Sequence, residues 1–322
     1  MKFLYTYCSH IKGSNPLYRK GNYYEDIKAK IKEIVFLSGG VDMVVHGGDF
    51  GDAPMMALGV ADEIVDMIEA GGIPWYIVRG NHDEIGHNPN LSGESILDHI
   101  FRRSKLIRHL DVINDGIVTE FENGKQIRGA KTVIQGFDFY HGIEKDLNEK
   151  GLYCSVETDG KKIAVVHALI MDKPFHPQVL HSVIGEIKTD FDLVLIAHNH
   201  TEMGIIKYGK TSWISIGSLA RITSAKSDIN RMPNVLYVDT LEPSLKIIPL
   251  KCGRPVEDAF NLELVDKIKE REGSIESFIK SLESTKVKGL NLKGIIEELC
   301  EKEAVDKEVL DEIIDRIGAT EQ

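Results

Sequence analysis

Five short polar signatures in this chain carry the residue types of a two-metal hydrolytic centre. They are Cys8-Ser9-His10, Gly48-Asp49-Phe50-Gly51-Asp52, Gly80-Asn81-His82-Asp83, the lone His167, and His198-Asn199-His200. A carboxylate has two oxygens and can hold two cations about 3.5–4 Å apart, which makes Asp49 the natural bridge. His10 and His200 are candidate ligands of one ion beside it; Asn81, His167 and His198 are candidates for the other. Imidazole, carboxylate and amide oxygen together suit Mn, Fe or Zn better than Ca or Mg. Such a pair can hold a hydroxide and clamp a phosphoryl group during in-line attack. His82 is placed to protonate the leaving oxygen, and Asp83 to orient its ring and raise its basicity. The chemistry is phosphate ester cleavage.

Each residue taken singly also has a plainer reading. Asp49 after Gly47-Gly48 fits a strand-to-helix turn, and Asp52 reads as a helix cap near Pro54. Asn81 after a glycine fits a turn, and an isolated His167 fits a core histidine. His198 and His200, alternating at a strand end, point to the same side. The weight comes from five signatures in order, each closely following an apolar run. His46 reads as structural. His87, in Gly86-His87-Asn88-Pro89, is a candidate for reaching a substrate phosphate or is a loop residue. Arg221, in Gly217-Ser218-Leu219-Ala220-Arg221, is a candidate phosphate partner or a surface salt bridge. The remaining histidines, such as His141 and His181, lack a supporting pattern.

The elements that must position these groups alternate from the start. The apolar runs 3–5, 43–45, 75–78, 163–166 and 193–196 read as buried strands. Helical spacing over 24–37 and about 55–70 separates the first three, and Gly71-Gly72-Ile73-Pro74 marks a helix stop. This rhythm predicts a parallel sheet with helices on its faces, and side chains at the carboxyl ends of such strands converge on one crevice. From 105 to 138 the pattern changes to short strands, with a hairpin turn at Asn123-Gly124, and helical turns follow over 141–149. Further strands at 204–207, 213–216, 235–238 and 245–250 predict a second sheet. The expected fold is therefore α/β, a two-sheet sandwich flanked by helices, spanning 1–254. The segment 255–322 reads as a helical appendage, with apolar stripes such as Ile275, Phe278, Ile279 and Leu282. Those stripes suit either a small bundle on the main domain or a docking module for a partner helix or coiled coil.

Bulk composition agrees with a globular protein: 322 residues, 42% hydrophobic and 28% charged. No apolar run reaches the roughly 18 residues of a membrane span, and the first residues lack a signal-peptide pattern. The four cysteines are scattered, as free thiols in a reducing cytoplasm would be. The net charge of −11 is concentrated in the tail, which carries 10 basic and 18 acidic residues from Pro255 to Gln322. Residues 1–254 then hold only −3, which two divalent cations would reverse, so a nucleic-acid partner stays compatible.

These signatures make the chain resemble the calcineurin-like metallophosphoesterases, and within them the DNA-repair nucleases of the SbcD type and their phage-encoded relatives. The resemblance covers about residues 1–250. It rests on the pattern DxH (here Cys8-x-His10), GDxxD, GNHD, a strand-end histidine, GHxH (here Ala197-His198-x-His200) and the segment Gly217 to Arg221. It implies two divalent ions, with Mn the usual choice, and it places a first-ion ligand at position 8. Cysteine there is softer than the usual aspartate and favours Zn or Fe; lariat-debranching members are similar in having cysteine and are active. SbcD-like nucleases also carry a carboxyl-terminal helical segment that docks on an SbcC-type ATPase, and related nucleases are often dimers. The implied function is a DNA nuclease. The alternatives are a phosphomonoesterase or small-nucleotide phosphodiesterase, consistent with the acidic tail, and an assembly subunit impaired by Cys8.

Overall fold

The structure, a computed structural model, describes residues 1–87, 93–115, 117–121, 124–128, 131–176, 178–223, 225–241, 244–267 and 270–271. It divides into two compact units, Met1–Ala259 and Phe260–Gln322. In the second, Asn261 Oδ1 accepts from the Leu264 N–H, a helix-start contact. The expected tail stripes from Ile275 onward lie outside the described residues. No helix among the described residues is long and apolar enough to cross a membrane.

In the first unit, strands and helices alternate: β1 (Lys2–Thr6), α1 (Tyr23–Leu37), β2 (Met43–His46), α2 (Leu58–Gly71), β3 (Trp75–Ile77), α3 (Ile96–Arg103) and β4 (Ile107–His109). Next come β5 (Val112–Asn114), β6 (Ile117–Phe121), β7 (Gly124–Arg128), β8 (Thr132–Phe137), α4 (Ile143–Lys150), β9 (Val156–Glu157) and β10 (Lys161–His167). The chain continues through β11 (Ile170–Met171), β12 (Ser182–Val183), β13 (Leu193–Ala197), β14 (Glu202–Tyr208), β15 (Thr211–Ile216), α5 (Lys226–Ile229), β16 (Asn234–Asp239), β17 (Ser244–Pro249) and α6 (Val256–Ala259). One six-stranded sheet runs β17-β16-β1-β2-β3-β4, and the other β14-β15-β13-β10-β8-β5. The first is parallel from β1 to its edge strand β4, with antiparallel β16 and β17 at the other end; the second is parallel through β15, β13, β10 and β8, with antiparallel β14 and β5 at its two ends.

Alternation along each strand explains the layers. Phe3, Tyr5 and Val45 of the first sheet meet Ile163, Val165, Leu195 and Ile214 of the second in a core between the sheets. The opposite faces present Leu4 and Val44 to Ile27, Ile31 and Ile34 of α1 and Ile64, Val65 and Ile68 of α2. On the far side of the second sheet, Ala164, Val166, Val194 and Ile196 pack against Ile143 and Leu147 of α4. Strands buried on both faces read as continuous apolar runs, and each buried aliphatic side chain contributes about 1.5–3 kcal/mol.

The two-sheet, helix-flanked sandwich is the fold expected from the sequence. Strands β6 and β7 pair antiparallel, with Gly124 of the expected turn paired to Phe121 as the first residue of β7. Three readings change. Strands β16 and β17, expected to help complete the second sheet, instead extend the first, because β16 pairs antiparallel with β1 and β17 with β16. Helix α2 begins at Leu58, three residues late, because 52–57 form a loop; its N-cap is Ala57, with no side-chain cap. Helix α3 has no counterpart in the sequence reading, although Ser95 and Asp98 form a reciprocal capping box at its start.

Candidate metal centre

The carboxyl ends of β1, β2, β3, β10 and β13 gather the five signatures. Beyond β1 and β2, the two chains keep zipping together: the Cys8 N–H donates to Gly48 O (2.9 Å), His10 N–H to Asp49 O (3.1 Å) and Ile11 N–H to Phe50 O (3.0 Å). His46 adds a latch, its ring facing Ser9 Oγ at 2.7 Å and accepting from the Gly48 N–H. His46 is thus structural, as expected. Glycines permit the close approach: a Cβ on Gly48 would stand 2.4 Å from His167 Nδ1, and one on Gly80 would stand 2.1 Å from Asp49 Oδ1.

Two donor groups share Asp49. In the first, donor atoms of Cys8, His10, Asp49 and His200 all lie within 4.8 Å of one another. His10 Nε2 faces His200 Nε2 at 3.0 Å, and Cys8 Sγ and His10 Nε2 each lie 3.7 Å from Asp49 Oδ2. In the second, His167 Nε2 stands 3.2 Å from Asn81 Oδ1, 3.2 Å from His198 Nδ1 and 3.3 Å from Asp49 Oδ2. The sequence expectation gave Asp49 one oxygen for each ion. Instead Oδ2 faces both groups, while Oδ1 accepts the main-chain N–H of His82 at 3.0 Å.

The donors fit metal ions. Two ligand atoms each about 2.1 Å from one ion stand about 3.0–3.4 Å apart at octahedral or tetrahedral angles, and the observed spacings within the second group fall there. His167 Nδ1 donates to Gly47 O at 2.8 Å, so Nε2 turns toward three acceptors that need a positive charge between them. Burial lowers the His167 pKa, but Asp49 outweighs it and the net direction is upward. Asp49 is held well below the usual carboxylate range: burial opposes this, and His167 and His10 prevail. Burial, reinforced by neighbouring imidazoles, pushes His198 down to about 3 and His200 to about 4, which keeps both rings neutral, as ligands must be. Burial and Asp49 push the Cys8 thiol well up.

Among the described residues, the non-glycine residues with positive φ are Cys8 (50°), His10 (43°), Asp49 (53°) and His198 (82°). All four belong to the donor groups. Such backbone costs about 1–3 kcal/mol per residue and persists where the surroundings over-determine it, often at functional sites.

Two expected site residues stand elsewhere, Asp83 and Arg221. Asp83 does not orient the His82 ring: its Oδ1 accepts from Gly51 N–H and its Oδ2 from the N–H groups of Gly80 and Phe50. Burial and Asp49 push its carboxyl up to about 7, and the Gly80 and Gly51 N–H groups pull it back. Three main-chain donors on the two oxygens favour the ionised form against that burial. Arg221 is buried, donating to the carbonyls of Ile229, Arg231 and Arg254, and so braces a loop, unlike the expected phosphate contact or surface salt bridge. The His87 side chain lies outside the described residues; its main chain closes a short turn, Ile85–His87.

His82 is at the centre, its ring edge against His10 with centroids 4.8 Å apart and Nδ1 at 2.8 Å from Asp52 O. Two residues escaped the sequence reading. Asp52, read as a cap, stands 3.3 Å from His10 Nδ1. Phe139 stacks on His198, with centroids 5.9 Å apart. Asp52 had a signal in its spacing from Asp49; Phe139 had none.

The sequence profile of the family described as calcineurin-like phosphoesterase matches residues 8–202, more than half of the chain. No curated protein matches. Among solved structures, the chain is similar to TT1561 of Thermus thermophilus, with 13% identity and a TM-score of 0.42 over 77% of this chain and 98% of that one. A dimetal phosphatase from Danio rerio shows 12% identity and a TM-score of 0.42 over 81% and 98%. A 5'-nucleotidase precursor from Thermus thermophilus shows 11% identity and 0.39 over 83% and 57%.

Proposed function

The chain belongs to the calcineurin-like phosphoesterase family, and from that premise we propose that it is a two-metal phosphodiesterase acting on DNA, a nuclease of the SbcD-like repair type. Membership makes it a hydrolase of phosphate esters. The observation that carries a two-ion centre is the pair of donor groups meeting at Asp49 Oδ2. Support for DNA as substrate comes from the order of the signatures, the segment Gly217 to Arg221, and the near-neutral balance of residues 1–254.

Cys8, His10 and His200 would hold one ion, and Asn81, His167 and His198 the other, with Asp49 common to both. When bound, the ions supply Lewis acidity to a phosphoryl oxygen and acidify water. The thiol at position 8 favours Zn or Fe in the first place, and Mn suits the second. His82 does the proton work. Its Nδ1 is committed to Asp52 O, so Nε2 is the atom that can carry a proton to a leaving oxygen. Asp83 contributes by tying the Gly80 and Gly51 loops together, which fixes Asn81 and Asp49. The tail from 255 to 322 is read as a docking module for an SbcC-type ATPase, and the protein as a candidate homodimer. Its acidic composition favours one competing reading, a phosphomonoesterase or small-nucleotide phosphodiesterase.

The test offers Mn- and Zn-loaded protein three substrates: linear DNA, bis-p-nitrophenyl phosphate and p-nitrophenyl phosphate. The expected result is DNA degradation with diester turnover and no monoester turnover. Monoester turnover alone would replace the nuclease reading with the competing one, and no turnover with two ions bound would leave the assembly-subunit reading.

A further inference from the structure

We propose that Asp52 is a positioning residue for the metal centre: its carboxylate sets the His10 imidazole for the first ion. This rests on the two-ion reading above and adds a residue to it.

Asp52 is not a helix cap, since α2 starts at Leu58 and its N-cap position is Ala57, with no side-chain cap. Its place follows from the zipper beyond β1 and β2: Ile11 bridges Gly51, and the Asp52 N–H donates to Ile11 O at 3.2 Å. That register brings the Asp52 side chain beside His10, one residue back along the facing segment. His10 is buried, and its Nδ1 has no aligned hydrogen bond. What it faces is Asp52 Oδ1 at 3.3 Å. A buried ring nitrogen without a partner is costly, and a carboxylate behind a metal-binding histidine fixes ring orientation and strengthens the ligand. His10 Nε2 points the other way, to His200 Nε2 and Asp49 Oδ2.

The carboxylate is itself held, because Lys12 Nζ lies 2.8 Å from Asp52 Oδ2. The carbonyl of the same residue accepts from His82 Nδ1 at 2.8 Å. One residue therefore contacts a first-ion ligand and the proton-carrying ring, whose planes meet edge-on at 83°. Donor atoms of His10, Asp52 and His82 lie within 4.8 Å of one another. If Nδ1 of His10 and of His82 both serve Asp52, each ring keeps Nε2 for the reaction centre.

The experiment is a calorimetric titration of metal-free full chain with Mn²⁺, comparing wild type, Asp52→Asn and Asp52→Glu. Asn keeps the size and the carbonyl but loses the charge. The expected result is first-ion binding weakened about 10–100-fold in Asp52→Asn, second-ion binding unchanged, and partial recovery in Asp52→Glu. Equal weakening of both ions, or none, overturns the inference. Wild type binding fewer than two ions overturns the two-ion reading itself, and this inference with it. Should Asp52→Asn fail to fold, Lys12→Met removes the tether instead; a several-fold loss at the first ion is expected, and unchanged binding overturns the role.

Discussion

Replacing Lys30 by methionine should stabilise the protein at neutral pH and destabilise it in alkali. Lys30 lies on α1, buried, with Nζ donating to Leu219 O at 2.8 Å. Burial, then the nearby Arg221, Arg19 and Arg231, push its amine down to about 7 from 10.5. A base with a depressed folded pKa carries no penalty above the unfolded pKa and accumulates one as pH falls toward the folded value. Between about pH 10.5 and 7 the unfolded chain binds a proton that the folded chain does not, so stability drops by about 1.4 kcal/mol per pH unit. The full penalty below pH 7 is on the order of 4–5 kcal/mol. Methionine removes it at similar shape but leaves the Leu219 carbonyl without this donor, costing about 1–3 kcal/mol. Lys30→Met should thus gain about 2 kcal/mol at pH 7 and lose about 1–2 kcal/mol at pH 10. Urea unfolding of both proteins at four pH values reads this directly, because other titrating groups cancel in the difference. A difference independent of pH would refute the reasoning. The site has a stake in the outcome, since the N–H groups of Leu219 and Ala220 hold the carbonyls of Tyr7 and Cys8.

Gly80→Ala drives a methyl to 2.1 Å from Asp49 Oδ1; it should abolish tight binding of both ions, and calorimetry showing two intact sites would contradict that. Asp83→Asn must turn an amide NH₂ toward a main-chain N–H at one of its two oxygens, and should cost about 2–4 kcal/mol in urea unfolding; a loss below about 1 kcal/mol would argue against the triple contact. Cys8→Asp replaces a soft donor by a hard one, so the rise in Tm on adding Mn should grow and the rise with Zn should shrink, and an unchanged pair of shifts removes Cys8 from the ligand set.

The strands were legible because burial on both faces leaves an unbroken apolar run, as from Ile163 to Val166 and from Leu193 to Ile196. The ligand positions were legible for a related reason: a polar residue directly after such a run sits at a strand end, and strand ends converge. Position alone does not say where a side chain bonds. Asp83 follows His82 in sequence, yet the turn at Gly80 sends its carboxylate back under three main-chain N–H groups. Arg221 departs from its reading for the same reason, since a charged residue after a strand end turned into the loop and spent its donors on carbonyls. Helix α3 did carry a start signal, Ser95 with Asp98 three residues on, which the sequence reading did not use.

The positive φ values and the convergence of donor atoms have one cause. Strands β1, β2 and β13 end close together, so a residue that is to send its side chain inward must turn its backbone sharply within one peptide. Cys8, His10, Asp49 and His198 do this in the left-handed region that glycine enters freely. Replacing any of them by glycine would relieve the backbone while removing a donor, and replacing it by alanine would keep the strain without the donor. The donors are therefore held against a local preference, by the zipper from Cys8–Gly48 to Ile11–Phe50 and by glycines 48 and 80, which clear space for Asp49 and His167. Such a frame is pre-organised for cations before any arrive, and like-charged or lone-pair-bearing atoms at about 3 Å repel one another until they do. Ion binding should accordingly stabilise the fold through the same residues that bind.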